Sequence, residues 1–162
     1  IGNTPCTAIP GVYAAGDVTG FSLLAHTASR EGEVVINNLC GHPDKMHYNA
    51  IPGIVYTNPE VAGVGLTEAQ AQQQGIDYEC RKLPMAYSGR FVAENEGGEG
   101  LCKVVVDKKT KRVLGVHMLG NPCSEIIGSA CIAIERGMTI EDLERVVLPH
   151  PTVTEILKEC MG

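Results

Sequence analysis

The chain has 162 residues, of which 44% are hydrophobic and 20% are charged, and its formal net charge is −6. This length and composition predict one globular domain, or one domain with part of a second, and enough apolar side chains for a core. The acidic balance argues against nucleic-acid binding, since no basic run is longer than DKKTKR. No apolar run approaches the roughly 18 residues that a membrane span needs.

Residues 1–10 lack the basic start and long apolar stretch of a secretory signal. The first residue is Ile rather than Met, which predicts that the chain is part of a longer protein. The seven cysteines form no C-x-x-C or C-x-x-x-x-C pair, and their odd number disfavours a fully paired secreted framework. The sequence therefore predicts a reducing compartment, which is the cytoplasm in a bacterium or the mitochondrial matrix in a eukaryote.

The first forty residues predict a strand, a turn and a helix. GVYAAGD (11–17) is typical of a short buried strand that ends in a glycine turn. The following segment has helical spacing, with Ser22 as the candidate N-cap and Gly41 as the stop. Because a single strand cannot form a sheet, we expect this unit to be the end of another domain. A linker follows over residues 41–53.

The remaining sequence predicts strands and then helices. GIVYTNPEVAGVGLT predicts two strands around a turn at Asn58–Pro59, and residues 76–85, 101–107 and 112–119 are further strand candidates. The last two strands are joined by KKTK, which indicates a hairpin. TEAQAQQQG, SEIIGSACIAIERG, TIEDLERVV and TVTEILKEC predict helices, three of them with capping boxes that begin at Thr67, Thr139 and Thr152. This order is typical of an α+β fold, in which helices pack on one face of an antiparallel sheet.

The segment VLPHPTVTE places His150 between two prolines and five residues before Glu155. Proline fixes its own φ and disfavours the helical region for the residue before it, so His150 is held in a stiff, extended segment. A rigidly held side chain that titrates near neutrality, followed by a carboxylate, could be a catalytic base with its orienting partner. A capping role for Glu155 and a turn role for His150 explain the same residues, and both interpretations stay open.

Asp17 follows the first predicted strand and precedes a helix, which is where α/β sheets hold nucleotide ligands. Its carboxylate could accept hydrogen bonds from sugar-like hydroxyls, and the helix N-terminus could stabilise negative charge. From these residues alone, an ordinary turn aspartate is the favoured interpretation. The other histidines lack metal-ligand spacing, so no metal site is predicted.

Four segments resemble the C-terminal part of the pyridine nucleotide–disulfide oxidoreductases, and above all their dihydrolipoyl dehydrogenase branch. They are GVYAAGDVTGFSLLAHTASREG, IVYTNPEVAGVGLTEAQA, RVLGVHMLG and PHPTVTEILKE, and they occur in the order found in that family. The resemblance spans nearly the whole chain. It implies a C-terminal stub of an FAD-binding domain with a linker over residues 1–47, and a dimerisation domain over residues 48–162.

The resemblance also implies roles for individual side chains. Asp17 matches the family aspartate that binds the ribityl part of FAD. The segment that passes the flavin ring is matched by Leu23, Leu24, Ala25 and His26. His150 and Glu155 match a His–Glu pair that reaches across a homodimer into the partner's active site, where the histidine acts as base toward a dithiol. A histidine suits that task because a thiol with a pKa near 8.5 is mostly protonated at neutral pH.

The implied parent enzyme oxidises protein-bound dihydrolipoamide with NAD⁺ through a redox disulfide and FAD. Its G-x-G-x-x-G fingerprint, redox disulfide and nicotinamide site lie upstream in the family and are not found in this sequence, so the chain alone is expected to be inactive. The implied partners are a second copy, through residues 48–162, and lipoyl-bearing proteins of 2-oxo-acid dehydrogenase or glycine cleavage complexes.

Three alternatives accompany this interpretation. Glutathione reductases share the His–Glu pair, whereas mercuric reductases are expected to lack the histidine and to end in paired cysteines. A non-catalytic dimerisation or binding module could keep the fold without the chemistry. A cysteine hydrolase with a Cys–His–Glu arrangement is disfavoured, because no cysteine lies in a recognisable nucleophile context.

Overall fold

A computed structural model describes residues 2–162, and the chain divides into two compact units at Ile51–Pro52. The first unit contains the 3₁₀ helix Gly16–Thr19, the helix α1 at Ala25–Leu39 and the 3₁₀ helix Tyr48–Ala50. Helix α1 stops before Gly41, as predicted, and the φ of +79° at this glycine suits the residue after a helix. The predicted Ser22 cap is wrong, because Leu24 occupies the N-cap position.

The segment 11–17 differs from the strand predicted for it. The only β contact of this segment within residues 2–162 is an isolated bridge between Tyr13 and Cys6. Val12 is 47% exposed, and Gly16 is the only buried residue of this segment. A strand is stable only when neighbours satisfy its backbone groups and cover a face, and the local sequence pattern does not show whether those neighbours are present.

The second unit is built on a five-stranded antiparallel sheet, which confirms the predicted fold class. Its strands are β1 at Gly53–Val55, β2 at Val61–Gly65, β3 at Tyr78–Pro84, β4 at Leu101–Asp107 and β5 at Val113–Leu119. Their order across the sheet is β1-β2-β5-β4-β3. Strands β4 and β5 form the predicted hairpin, and β1 and β2 pair around the Asn58–Pro59 turn.

Five α-helices accompany this sheet. They are α2 at Glu68–Gln73, α3 at Gly89–Glu94, α4 at Cys123–Glu135, α5 at Ile140–Glu144 and α6 at Glu155–Glu159. The capping boxes predicted at Thr67 and Thr139 are both present. Helix α3 was not predicted, because it is too short to show an apolar period. Its cap, Ser88, accepts a hydrogen bond from the Phe91 backbone N–H at 3.2 Å.

The core of the second unit lies between the sheet and α4, which packs on β2 and β5. Val64, Val116 and Ile127 are at most 2% exposed, and burial of such a side chain stabilises a fold by about 1.5–3 kcal/mol. The predicted apolar stripe of α4 is therefore largely confirmed, although its member Cys131 is only half-buried. This core provides the rigid support for the C-terminal segment.

Close backbone packing at β5 gives a stability prediction. A Cβ atom at Gly115 would lie 2.0 Å from the Leu66 carbonyl oxygen, and a backbone atom cannot rotate away. We expect Gly115→Ala to lower the free energy of unfolding by about 1–3 kcal/mol, measured by urea unfolding. The matched control is Gly128→Ala on α4, where a Cβ meets nothing within 4 Å. Because alanine favours the helix more than glycine does, this substitution should stabilise the domain by about 0.5–1 kcal/mol. Equal stability of the two variants would contradict this packing.

Candidate active-site residues

His150 lies in the segment between α5 and α6, and its backbone is anchored by its neighbours. The Thr152 hydroxyl donates a hydrogen bond to the Pro149 carbonyl at 2.8 Å. The Thr152 carbonyl accepts one from the Ser88 hydroxyl at 3.2 Å, and the next residue, Val153, is 5% exposed. The segment is thus fixed to the domain while the His150 side chain remains 80% exposed.

The structure brings His150 and Glu155 together. His150 Nδ1 lies 2.9 Å from Oε1 of Glu155 and 3.2 Å from Oε2. Oε2 also accepts a hydrogen bond from the Thr152 backbone N–H at 2.8 Å. The Glu155 carboxylate therefore contacts both the His150 ring and the backbone of Thr152. It orients the imidazole through Nδ1 alone.

The capping box predicted at Thr152 is only half present. The Glu155 carboxylate does return to the Thr152 N–H, but the Thr152 hydroxyl donates to Pro149 instead of capping a helix. The reason is that α6 begins at Glu155 with Thr154 as its N-cap, so Thr152 lies two residues too early. The glutamate is consequently placed at the start of the helix, beside the histidine.

Hydrogen bonding favours the ionised form of Glu155. The pKa of Glu155 lies below its ordinary value, because the Thr152 N–H and, to a smaller extent, the His150 ring stabilise the carboxylate. An ionised carboxylate only accepts hydrogen bonds, so Nδ1 of the neutral imidazole carries the proton. The lone pair is then on Nε2, the nitrogen that can accept a proton from a substrate.

The lowered pKa predicts an acid-sensitive contribution to stability. A group whose pKa is lower in the folded state stabilises the fold above its unfolded pKa, which is 4.5 here, and loses that effect as the pH falls through the folded value. Urea unfolding of wild type and Glu155→Gln should therefore show a larger difference in unfolding free energy at about pH 7 than at about pH 3.

Glu159→Gln is the control for net charge, since this carboxylate is exposed on the same helix. The difference in unfolding free energy between wild type and Glu159→Gln should depend less on pH than the difference for Glu155→Gln. An identical stability difference for Glu155→Gln at both pH values would mean that the glutamate gains nothing from Thr152 and His150.

Asp17 is exposed in the 3₁₀ helix Gly16–Thr19 of the first unit. The turn closes at Gly20, whose φ is +69°. The next helix, α1, has Leu24 at its N-cap, and an apolar side chain cannot accept hydrogen bonds from the first backbone N–H groups. An acid on a turn thus precedes a helix N-terminus that has no side-chain cap, an arrangement that suits a polar ligand.

The four residues predicted to pass a flavin ring lie where the loop runs into α1. Leu23 is 70% exposed, Leu24 is half-buried, and Ala25 and His26 are exposed in the first turn of the helix. They follow the Asp17 turn by a few residues within the same unit. Their exposure leaves apolar surface available for a flat, aromatic ligand.

Two residues that hold the Asp17 turn, Glu31 and Tyr48, were not predicted from the sequence. Glu31 is fully buried, and its Oε2 accepts a hydrogen bond from the Gly16 N–H at 2.6 Å while Oε1 accepts one from the Tyr48 hydroxyl at 2.9 Å. The sequence did contain one indication of a role for Glu31, because this acid lies on the buried stripe of α1 together with Thr27 and Val34. Apolar side chains are the usual occupants of such a stripe.

Within residues 2–162, no group of three or more His, Cys, Asp or Glu side chains could hold a metal ion. The seven cysteines are free thiols, and Cys102, Cys123 and Cys160 are buried. No helix in this described range is long and apolar enough to cross a membrane.

The five-stranded domain and the segment that follows it are similar to a known protein family. Residues 51–161 match the family model described as pyridine nucleotide-disulphide oxidoreductase, dimerisation domain. The chain belongs to this family, and the predicted membership is confirmed.

Within this family, the chain is similar in sequence to dihydrolipoyl dehydrogenases. Dihydrolipoyl dehydrogenase 3 of Pseudomonas putida is 42% identical over 96% of this chain, and the mitochondrial dihydrolipoyl dehydrogenases of Caenorhabditis elegans and Homo sapiens are 42% and 40% identical over 94%. The chain spans about a third of the length of these relatives, namely 33%, 31% and 30%.

Solved structures show the same fold. LpdA from Mycobacterium tuberculosis has a TM-score of 0.90 at 24% identity, over 98% of this chain and 35% of that protein. The HOCl-induced flavoprotein disulfide reductase RclA from Escherichia coli has a TM-score of 0.85 at 26% identity, over 98% of this chain and 37% of that protein. The likeness to LpdA shows the fold alone, and the likeness to RclA agrees with the family.

Proposed function

We propose that this chain is the C-terminal part of a flavin-dependent disulfide oxidoreductase that oxidises protein-bound dihydrolipoamide with NAD⁺ as a homodimer. The observation that carries the proposal is the His150–Glu155 pair, with Nδ1 of the exposed imidazole 2.9 Å from the carboxylate. The dihydrolipoyl dehydrogenases at 40–42% identity support the substrate class. Residues 1–47 would belong to the FAD-binding domain and its linker, and residues 48–162 to the dimerisation domain.

In this proposal His150 is the base toward the substrate dithiol. Its Nε2 takes the proton of one thiol, and the resulting thiolate attacks the redox disulfide of the intact enzyme, releasing one of that disulfide's sulfurs. Glu155 holds the ring by Nδ1–H and stabilises the imidazolium that forms. The anchored Thr152 keeps the glutamate in place, so that the imidazole does not need to reorient before the proton transfer.

The exposure of the segment supports a site shared between subunits. His150 is 80% exposed and the apolar Val147 is 92% exposed. A catalytic base works best when water is excluded around it, and an apolar side chain is costly to leave in water. Both requirements are met if a second subunit covers the segment, as the homodimer proposed for residues 48–162 would do.

The first unit has a set of groups that fits part of an FAD site. The Asp17 carboxylate would accept hydrogen bonds from ribityl hydroxyls, and exposed Leu23 would contact the ring system. The N-terminus of α1 adds positive partial charge and backbone donors. When bound, FAD supplies the two-electron acceptor between the dithiol and NAD⁺. The residues of this chain orient the cofactor, and the nicotinamide site lies outside them.

The test uses the full-length protein that contains this chain. The proposal predicts a yellow protein with bound flavin that reduces NAD⁺ in a reaction dependent on dihydrolipoamide, whereas residues 1–162 alone should be inactive. Reduction of glutathione disulfide in place of lipoamide turnover would assign the protein to the glutathione-reductase-like alternative. A colourless, inactive protein would leave a dimerisation module without redox chemistry.

A further inference from the structure

A fully buried carboxylate in α1 has no role in the chemistry proposed so far. Glu31 is 0% exposed, and a buried charge is costly unless hydrogen bonds compensate for the lost water. Each of its oxygens has such a bond, from the Gly16 N–H at 2.6 Å and from the Tyr48 hydroxyl at 2.9 Å. The carboxylate therefore joins three separate segments of the first unit.

These contacts act on the turn that carries Asp17. Gly16 has a φ of +79°, and a Cβ atom there would lie 3.2 Å from the Ala28 Cβ, so the turn packs tightly against α1. The Tyr48 ring contacts the Phe21 ring with 4.3 Å between their centroids. Both ends of the loop 16–21 are thus fixed through Glu31 and Tyr48, and Asp17 lies between the fixed points.

We propose that Glu31 is a positioning residue for FAD, because it holds the Gly16–Asp17 backbone at the place where Asp17 meets the ribityl hydroxyls. This inference rests on the proposed function, since it assigns the Asp17 turn to flavin. Glu31 itself is buried beneath the turn and acts through Gly16. It sets the cofactor's affinity without contact to the cofactor.

The chemistry of the two partners agrees with this role. Burial, and then the neighbouring Glu31, raise the pKa of Tyr48 to about 12, so its phenol stays protonated and donates. A glutamine at position 31 could keep both hydrogen bonds, since its carbonyl accepts from the Gly16 N–H and its amide donates to the Tyr48 oxygen. An alanine would keep neither of these bonds.

The experiment measures FAD affinity of the full-length apoprotein by quenching of flavin fluorescence. Glu31→Ala should weaken binding about tenfold or more, the loss expected for hydrogen bonds to a charged group, whereas Glu31→Gln should stay within about threefold of wild type. Tyr48→Phe keeps the ring and removes one bond, and should weaken binding about threefold. Glu33→Ala is the matched control, because that glutamate is exposed on the same helix and its loss should change nothing.

Hydrogen–deuterium exchange of the peptide around Gly16 in the apoprotein provides the second readout. Faster exchange there in Glu31→Ala, with wild-type exchange in Glu31→Gln and Glu33→Ala, is the expected result. If wild type binds FAD and Glu31→Ala binds it equally well, the inference is wrong and the proposed function stands. If Glu31→Ala does not fold, unchanged FAD affinity in Tyr48→Phe overturns the inference. A wild type that binds no flavin would remove both proposals.

Discussion

His150→Gln in the full-length protein should lower the turnover of dihydrolipoamide about a hundredfold or more, which is the usual contribution of a general base. Glutamine retains the size and polarity of the side chain but cannot accept a proton at neutral pH. The substrate thiol would then have to ionise without help, and at a pKa near 8.5 only a small fraction is thiolate. The loss should appear in kcat as well as in kcat/KM, because the missing interaction is made during proton transfer.

The measurement is steady-state NAD⁺ reduction with dihydrolipoamide, at equal flavin content for each variant. His42→Gln is the matched control, since it removes an exposed imidazole from the linker and should leave turnover unchanged. His150 is 80% exposed and contributes less than Thr152 to the lowered pKa of Glu155, so we expect only a small shift of the urea transition in His150→Gln. Wild-type turnover in His150→Gln would make the histidine a turn residue and would overturn its assignment as the base toward the dithiol.

Much of the second unit could be predicted because its signals are local. Short apolar runs bounded by turn residues marked the strands, and the boxes at Thr67 and Thr139 marked helix starts through contacts only three residues apart. The strand predicted over 11–17 failed for the opposite reason. Its stability depends on partner strands, and a segment's own pattern contains no information about whether they are present.

The contacts of the candidate sites also fall into local ones, which the sequence indicates, and long-range ones, which it does not. The spacing of His150 and Glu155 suggested a pair, and the hydrogen bond between them spans only five residues. The Glu31 contacts span 15 residues to Gly16 and 17 to Tyr48, and no local pattern reports such a distance. Ser88, which fixes the Thr152 carbonyl, is 64 residues away. Sequence reasoning therefore found the groups suited to chemistry and the nearby orienting Glu155, and it missed the partners that are distant in the sequence.

Two full-length variants that each have very low activity alone should recover activity when their subunits are mixed. One carries His150→Gln, and the other lacks a cysteine of the redox disulfide that the proposed function requires upstream of this chain. If each active site takes its disulfide from one subunit and His150 from the other, a hybrid dimer contains one intact site and one doubly defective site. Random pairing of equal amounts makes half of the dimers hybrids, so about a quarter of wild-type activity should return in a two-fold symmetric enzyme.

The two subunits would carry different affinity tags, so that hybrids can be purified and counted. The matched control mixes His150→Gln with Glu155→Gln. Both substitutions affect the same half of the site, since the two side chains lie 2.9 Å apart in one chain. Every site in that hybrid lacks one member of the pair, and its activity should be the mean of the activities of the two parents. Purified hybrids of the first mixture without activity would place the disulfide and His150 of one site in the same subunit. The exposure of His150 and Val147 would then need another cause than a shared active site.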